Sequence, residues 1–341
     1  MAAKRIVIGM SGGVDSSMSL LLLKQQGWEP VGVSLKLHDG GHIETAKSVC
    51  EKLGIPHHIY DVQEDFKRCV IDFLASELKE GRTPNPCAEC NRVLKFSKLF
   101  EFANAHGIGY VATGHYARST ENGELLRAKD LSKDQTYGLC FLAKEQLSRI
   151  IFPLGELTKA DVFSLAKKAG FPSLLTQKQS QDLCFISGKG LPKFIEEKVG
   201  RNPGPIFGSK GKRLGIHKGL HFYTIGQRKR LGLPGGTGTY YVKSLDNANN
   251  ILTVTQNRSE ILQSEAFLSN LHFISGKLPE KETTLSAQIR YHQPEVEAVL
   301  KPLGSGTACI TFKKPIEAVT PGQVCAFYKN GLCLGGGIIT G

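Results

Sequence analysis

The feature that most constrains the fold of this chain is a short glycine-rich turn near its start. Residues 11–16 read Ser-Gly-Gly-Val-Asp-Ser, after a β-branched apolar run at residues 5–8 and before an amphipathic stretch at residues 16–26. Adjacent glycines let the backbone turn tightly and approach a ligand, and the start of a helix presents free N–H groups and a positive dipole end. The pattern therefore predicts a strand, a loop that binds a polyphosphate, and a helix.

Other interpretations of this turn explain less of it. An ordinary turn in which Asp15 or Ser16 caps the helix accounts for any two of the six residues, but not for all of them together. A Walker A loop would end in Gly-Lys-Ser or Gly-Lys-Thr, and no Gly-x-Gly-x-x-Gly motif follows a strand in this chain.

Strand and helix patterns alternate through the first third of the chain. Further strands are predicted at residues 30–37, 56–62 and 109–113, and further helices at residues 43–53, 64–80 and 91–106. Such alternation is typical of an α/β domain with a parallel sheet and helices on both faces, whose ligands bind beyond the carboxyl ends of the strands. We expect the site there.

The second half of the chain has a different pattern. Gly- and Lys-rich turns begin near residue 202, and the last 75 or so residues consist of short strand patterns, with a tight hairpin predicted at Asn330-Gly331. We therefore predict three domains, at residues 1–192, 193–262 and 263–341.

Charge and composition indicate a polyanionic partner. The net charge is +12, of which +9 falls after Pro192, and residues 208–232 hold seven basic side chains, no acidic ones, and the aromatic pair Phe222 and Tyr223. Lysine and arginine neutralise phosphates, and aromatic rings stack on unpaired bases, although a solvated basic face is the alternative. No apolar run approaches the roughly 20 residues of a membrane span, so we expect a cytoplasmic protein without a membrane partner.

The cysteines point to reactive or metal-binding thiols. Their odd number, nine, in a long chain without a secretion signal argues against a disulfide scaffold. Cys87 and Cys90 follow two prolines, which we expect to keep this loop out of a helix and to place Cys90 at a helix N-terminus, where the dipole lowers a thiol pKa. A second Cys-x-x-Cys, needed for a four-thiolate zinc site, is missing. An isolated cysteine such as Cys184 is more often a buried structural residue than a reactive one.

The glycine-rich turn resembles the PP-loop of ATP pyrophosphatases, which cleave ATP to AMP and pyrophosphate while adenylating a substrate. This resemblance implies that ATP is bound by Gly9, Met10, Ser11, Gly12, Gly13, Val14, Asp15 and Ser16, and that Leu35 and Gly114 contact the adenosine end. Mg²⁺ is expected to accompany ATP, because it compensates the charge of the triphosphate.

Longer motifs make the chain similar to the tRNA-specific 2-thiouridylase (MnmA) family over nearly its whole length. Two of these motifs surround Cys90 (T-P-N-P-x-x-x-C-N-x-x-x-K-F) and Cys184 (S-Q-D-x-C-F-I). Other motifs of the family lie at residues 112–118, 133–135, 223–228, 320–323 and 334–337. The resemblance implies a PP-loop domain, a small mainly β central domain that is basic, and a C-terminal β-barrel. It implies contacts to tRNA or its target base from Asn85, Pro86, Cys87, His115, Lys133, Asp134, Gln135, Arg290, Tyr291 and Gln323.

The implied reaction is ATP-dependent 2-thiolation of a tRNA wobble uridine. ATP adenylates the unreactive C2 oxygen, and a sulfur nucleophile then displaces AMP, so one hard substitution becomes two easier ones. The resemblance gives Cys184 the incoming sulfur as a persulfide and makes Cys90 the nucleophile that resolves it, closing a Cys90–Cys184 disulfide. The partners are then tRNA and a sulfur-donor protein, either a cysteine desulfurase or a sulfur relay carrier, and we expect a monomer.

One departure from the family pattern leaves the mechanism open. Cys87 stands where the family pattern has aspartate, and a thiol of ordinary pKa about 8.5 does not replace a carboxylate. Cys87, Cys90 and Cys184 together form a possible ligand set for a 4Fe-4S cluster, as in related tRNA thiolases. Two other functions also remain: amide-forming synthesis on a small metabolite, and a nucleotide-gated RNA binder or iron-sulfur sensor without turnover.

Overall fold

The computed structural model describes residues 4–39, 42–176, 183–186, 190–233 and 238–340. The strands among them are, in chain order, β1 (Arg5–Gly9), β2 (Glu29–Lys36), β3 (His57–Asp61), β4 (Tyr110–Thr113), β5 (Arg118–Ser119), β6 (Leu125–Leu126), β7 (Ile150–Ile151), β8 (Gly204–Gly208), β9 (Arg213–His217), β10 (Tyr241–Asp246), β11 (Ile251–Thr255), β12 (Leu262–Phe273), β13 (Thr283–Gln288), β14 (Val296–Gly304), β15 (Thr307–Glu317), β16 (Val324–Lys329) and β17 (Leu332–Ile339).

The α-helices lie mainly in the first half of the chain. They are α1 (Val14–Gln25), α2 (Ile43–Leu53), α3 (Gln63–Phe66), α4 (Phe73–Lys79), α5 (Pro86–Cys90), α6 (Phe96–Ala105), α7 (Lys144–Leu147), α8 (Lys159–Lys168) and α9 (Leu191–Val199). Two π-helical turns, Lys67–Asp72 and Asn91–Lys95, join α3 to α4 and α5 to α6. Within the described residues, no helix has the length and apolar character needed to cross a membrane.

The first domain is the predicted parallel sheet with helices on both faces. Its strands run in the order β3-β2-β1-β4-β7, all parallel. Side chains of β1 alternate between two cores: Ile6 and Ile8 pack with α1, whereas Val7 packs with Phe96 and Leu99 of α6. Burial on both faces explains the continuous apolar sequence of this strand. The carboxyl end of β1 delivers the chain to the glycine-rich turn.

The central domain is built on a mixed four-stranded sheet. Its order is β10-β11-β8-β9, with β11 and β8 parallel and the other pairs antiparallel. Tyr223 packs into the core of this sheet with Ile206, Val242 and Val254, and only 7% of it is exposed. The expectation that Tyr223 stacks on RNA bases is therefore wrong, because the ring fills the domain's core.

The C-terminal domain is a six-stranded antiparallel β-barrel, as the family resemblance implies. The order β12-β15-β14-β13-β16-β17 is closed by pairing of β12 with β17. The predicted hairpin is confirmed: Asn330 and Gly331 have φ values of 52° and 79°, as a tight turn between β16 and β17 requires.

The first domain and the barrel share part of their structure. The hairpin of β5 and β6 pairs with β17, and Leu125 and Tyr137 lie in the same core as Val324 and Tyr328. The boundaries at residues 192 and 263 stay predictions, but the hydrophobic core continues from the first domain into the third.

Candidate active site

The glycine loop, defined as residues 9–16, connects β1 to α1 at the carboxyl edge of the parallel sheet. The Ser16 hydroxyl accepts a hydrogen bond from the Ser11 N–H at 3.2 Å and donates one to the Gly13 carbonyl at 3.1 Å, which holds the turn closed. Gly12 has φ +76°, a conformation that favours glycine. In the described structure no side chain caps α1, so its first N–H groups are open to an anion.

The predicted ATP contacts outside this loop lie on the neighbouring strands. Leu35 is half-buried near the end of β2 and packs against the core. Gly114 directly follows β4, and a Cβ at this position would lie 2.8 Å from the Ser16 nitrogen. The absence of a side chain at Gly114 allows the chain to pass against the first turn of α1.

We expect Gly114→Ala to weaken ATP binding by about tenfold or more, because the added methyl group would displace the first turn of α1 and the amides that it presents. Gly109→Ala is the matched control, since Gly109 precedes the same strand and a Cβ added there would meet no described atom within 4 Å. Titration calorimetry with ATP measures both variants, and equal affinities would contradict the role assigned to Gly114.

A charged group beside the glycine loop was not identified from the sequence. The Lys159 ammonium lies 2.7 and 2.8 Å from the two carboxylate oxygens of Asp15, and the Tyr116 hydroxyl donates to Asp15 at 2.9 Å. Gln135 holds Tyr116 in turn, because its side-chain oxygen accepts the Tyr116 N–H at 2.9 Å. Lys159 lies 144 residues after Asp15, so no local pattern could have joined them.

Cys87 and Cys90 lie inside a helix, contrary to the expectation of a loop. Pro86 is the first residue of α5, where its missing N–H costs nothing, and the Asn85 side chain accepts the Ala88 N–H at 2.9 Å as a cap. The two cysteines are therefore one helical turn apart, and Cys90 lies a full turn beyond the helix start.

The three candidate cysteines, all among the described residues, lie near one another in this structure but are not grouped as ligands of a single metal ion. Cys90 is buried in a cluster with Phe66 and Leu94, against which Phe185 packs, and the Phe66 and Phe185 ring centroids are 5.7 Å apart. Phe185 brings its neighbour Cys184 to this cluster, and both Cys184 and Cys87 are exposed. Residues 180–182 of the Cys184 motif lie outside the described residues.

The expectation that Cys90 is a thiolate in the free protein is wrong. Burial raises the pKa of Cys90 to about 11, and desolvation also raises the pKa of Cys87 and of Cys184. The helix dipole does not compensate, because Cys90 lies beyond the first turn and has lost its hydration. All three thiols are thus protonated at neutral pH in the unliganded chain.

One cation acts on all three thiols. Lys95, at the end of the second π-helical turn, lowers the pKa of Cys87, Cys90 and Cys184 against the effect of desolvation. Lys95 is half-buried, and in the described structure it forms no ion pair with a carboxylate. The sequence shows Lys95 only as one residue of the Cys90 motif, because its approach to Cys184 is a tertiary contact.

The arrangement does not fit a metal ion held by protein ligands alone. Among the described residues, no three His, Cys, Asp or Glu side chains are grouped so that they could hold an ion. The carboxylate within the glycine loop, Asp15, is already engaged by Lys159 and Tyr116. We therefore derive no step through a protein-bound metal.

The loop before α5 is fixed by the barrel. The Gln323 amide donates to the Thr83 carbonyl at 2.6 Å, and the Thr83 N–H donates to the Pro321 carbonyl at 2.8 Å. Gly322 must be small, since a Cβ there would lie 2.9 Å from the Thr83 nitrogen. The barrel turn at residues 320–323 thus holds the segment that leads to Cys87.

Several residues that the resemblance assigns to RNA binding lie around the junction between the barrel turn at residues 320–323 and the segment that leads to Cys87. Tyr291 is 43% exposed, its ring centroid lies 6.3 Å from that of Tyr137, and Cys87 is close enough to raise the pKa of Tyr291 together with burial and Asp134. Arg290 donates to the Ile225 carbonyl at 2.8 Å and so links the barrel to the central domain. All three domains therefore meet beside the cysteines.

Asp134 does not lie on the surface as an RNA contact requires. Its side chain is only 3% exposed, and its oxygens accept hydrogen bonds from Arg127 at 2.6 Å, from the Ala128 N–H at 2.8 Å and from the Thr136 hydroxyl at 2.6 Å. The structure therefore corrects this prediction: Asp134 is a buried ion-pair partner. Its neighbour Lys133 remains half-exposed.

His115 has a packed environment. Its ring stacks on that of Phe96, with the two ring centroids 5.9 Å apart, and its Nδ1 lies 2.7 Å from the Thr113 hydroxyl oxygen. Burial lowers the pKa of His115 well below its usual value. The ring is therefore neutral and offers a hydrogen bond rather than a charge.

The basic segment of the central domain is exposed. Its cationic side chains are Lys210, Lys212, Arg213, Lys218, Arg228, Lys229 and Arg230. All seven are exposed, and none pairs with a carboxylate within the described part of the chain. This surface can accept a phosphate backbone without first breaking ion pairs.

Comparison with known proteins gives the family. Three family models match in succession: a tRNA methyl transferase HUP domain over residues 4–188, a tRNA methyl transferase PRC-barrel domain over residues 192–256, and an aminomethyltransferase β-barrel domain over residues 263–339. The tRNA-specific 2-thiouridylase MnmA 1 of Geobacillus kaustophilus is 41% identical over an alignment of 356 positions, which covers 99% of this chain and 96% of the relative. The chain belongs to the tRNA-specific 2-thiouridylase (MnmA) family.

Other relatives agree with this assignment. The MnmA of Synechococcus sp. (strain JA-2-3B'a(2-13)) is 41% identical over an alignment of 349 positions, which covers 98% of this chain and 94% of the relative. A 4-thiouridine synthetase solved with RNA and ATP aligns with a TM-score of 0.39 and 17% identity over 57% of this chain and 50% of its own, which is too distant to bear on function. As an MnmA-family member, the protein is an ATP-using sulfurtransferase that acts on tRNA. Family membership favours tRNA thiolation over the amide-forming and non-turnover functions.

Proposed function

We propose that this protein converts the wobble uridine of tRNA to 2-thiouridine through a persulfide on Cys184 that Cys90 resolves. The observation that carries the proposal is the packing of Phe185 in the cluster that buries Cys90, which brings Cys184 to the same place. Cys184 is exposed and can receive sulfur from a donor protein, whereas Cys90 is shielded from solvent. This difference in access matches the two roles.

The first step is adenylation at the glycine loop. The uracil C2 oxygen attacks the α-phosphorus of ATP, the bond from that phosphorus to the bridging oxygen breaks, and pyrophosphate leaves while the N3 proton passes to solvent. The open N–H groups at the start of α1 and the Ser11 hydroxyl are suited to hold the phosphates. Mg²⁺, when bound with ATP, would supply further charge compensation.

The second step transfers sulfur. The terminal sulfur of the Cys184 persulfide attacks C2 and AMP leaves. The Cys90 thiolate then attacks the inner sulfur and breaks its bond to the sulfur on C2, which forms the Cys90–Cys184 disulfide. The released group becomes C2=S as N3 takes up a proton from solvent. A thiol reductant restores both cysteines. Because Cys90 has a raised pKa in the free chain, we propose that Lys95 supports its ionisation when the substrate is bound.

The tRNA surface is proposed from charge and exposure. The seven exposed cations of the central domain would hold the phosphate backbone, while Asn85, Pro86, Cys87 and Tyr291 would border the flipped target base beside the cysteines. The family resemblance further assigns tRNA contacts to His115, Lys133, Gln135, Arg290 and Gln323. We further propose a cytoplasmic monomer that takes sulfur from a cysteine desulfurase or a relay carrier.

The test is a reconstituted assay on unmodified tRNA with ATP, Mg²⁺, a sulfur donor and a thiol reductant. We expect 2-thiouridine at the wobble position by mass spectrometry, with AMP formed in equal amount and only when tRNA is present. AMP without tRNA, or thiolation at another position, would overturn the proposal.

The iron-sulfur alternative is tested at Cys87. In the persulfide mechanism, anaerobically purified protein contains negligible iron, and Cys87→Ser retains most of the thiolation rate, because Cys87 carries no sulfur in that mechanism. About four irons and acid-labile sulfide per chain, lost together with activity in Cys87→Ser, would instead favour a cluster held by Cys87, Cys90 and Cys184. Cys309→Ser, in the barrel, is the control for replacing a partly exposed thiol.

A further inference from the structure

Lys159 combines burial, charge and an incomplete set of hydrogen-bond partners beside the glycine loop. Its side chain is 13% exposed, and the ammonium lies 5.0 Å from the centroid of the Phe163 ring and 5.7 Å from that of Tyr116. The ammonium carries three N–H bonds, and its hydrogen-bond acceptors among the described residues are the two oxygens of Asp15. At least one donor is therefore available for another acceptor.

The position of Asp15 makes this cation necessary for binding an anion. Asp15 is the second residue of α1, directly after the loop whose amides face the ligand. An unpaired carboxylate here would repel a polyphosphate and oppose the dipole of α1. Lys159 cancels this charge, and Thr158 places it at the start of α8 by accepting the Asp161 N–H as a cap.

We propose that Lys159 is a further phosphate-binding residue, whose ammonium bridges Asp15 and an oxygen of the pyrophosphate portion of ATP. The inference rests on the proposed ATP site and adds a residue that stabilises the negative charge of the leaving pyrophosphate. In this arrangement the Lys159 ammonium contacts the β- and γ-phosphates of ATP and does not contact the adenosine.

The experiment measures binding of inorganic pyrophosphate and of AMP separately by calorimetry at constant Mg²⁺, with full-length protein and without tRNA. We expect Lys159→Met to weaken pyrophosphate binding about tenfold and to leave the affinity for AMP within about twofold, since one charge-assisted contact is lost. Lys159→Arg should retain most of the pyrophosphate affinity. Lys167→Met, an exposed lysine on the same helix, is the matched control and should change neither affinity.

A second pair of variants removes the concern that Lys159→Met leaves the negative charge of Asp15 uncompensated beside the ligand. Asp15→Asn and the double variant Asp15→Asn/Lys159→Met both lack the carboxylate, so their difference isolates the ammonium. Weaker pyrophosphate binding by the double variant supports the proposal. Equal pyrophosphate affinity in this pair, or an equal loss of AMP and pyrophosphate binding in Lys159→Met, overturns it. Wild-type protein that binds neither ligand would instead contradict the proposed ATP site.

Discussion

Replacing Cys184 by serine should abolish 2-thiouridine formation, with a loss of at least about a thousandfold, while ATP binding stays within about twofold of the wild type. A serine hydroxyl forms no persulfide and so has no sulfur to transfer. The ATP site is unaffected because the glycine loop and Gly114 belong to the parallel sheet, whereas Cys184 is next to Phe185, which packs against the cluster of Phe66 and Cys90. Single-turnover thiolation with excess enzyme, together with ATP titration, measures both effects.

The control for this prediction is Cys309→Ser, which replaces a partly exposed thiol on β15, in the barrel. We expect it to thiolate tRNA at the wild-type rate. If Cys184→Ser retained thiolation, sulfur would have to reach the uridine without this residue, and the persulfide proposal would fail. If it lost ATP binding as well, the separation of the two sites would be wrong.

Arg127→Met should lower the free energy of unfolding by about 3 to 5 kcal/mol, since removing one member of a buried ion network leaves its partners unpaired. The Arg127 guanidinium donates to Asp134 at 2.6 Å, to Glu295 at 2.6 Å and to Gln288 at 2.9 Å. It also lies 3.8 Å from the centroid of the Tyr328 ring, and its side chain is 13% exposed. Because Gln288, Glu295 and Tyr328 belong to the barrel, the loss should weaken the contact between the barrel and the first domain.

Urea unfolding tests this prediction with two probes. Fluorescence of Trp28, the single tryptophan, reports on the first domain, and circular dichroism reports on the whole chain. Arg201→Met is the control, because the ion pair of Arg201 with Glu196 is exposed and should contribute less than about 1 kcal/mol. Similar small effects in both variants would show that the network around Arg127 contributes little to stability.

Several features of the fold were predictable because short segments determine them. Residues 11–16 restrict the backbone to a tight turn before a helix, and α2 was predicted with its observed bounds because its apolar positions repeat with the helical period. Asn330 and Gly331 form the predicted hairpin because both adopt positive φ readily.

Other features depended on segments distant in the chain. The family resemblance predicts an RNA contact at Asp134, but Arg127 and Thr136 bind its carboxylate in the interior. The basic segment predicts stacking by Tyr223, but its ring lies in the central core. The pKa of Cys90 follows the same rule: the sequence predicts a helix N-terminus that favours a thiolate, but Cys90 lies beyond the first turn of α5, and burial against Phe66 and Leu94 favours the thiol.

The sequence by itself determined the chemistry available to this protein: a phosphate-binding loop, a set of thiols and a basic surface, each recognisable from residue types and short spacing. The tertiary structure alone decided which of these groups meet. It brought Cys184 to Cys90, Lys159 to Asp15, and the barrel turn to the segment before Cys87. The physical reason is that turn and helix preferences act over a few residues, whereas burial, ion pairing and thiol pKa depend on neighbours that only folding supplies.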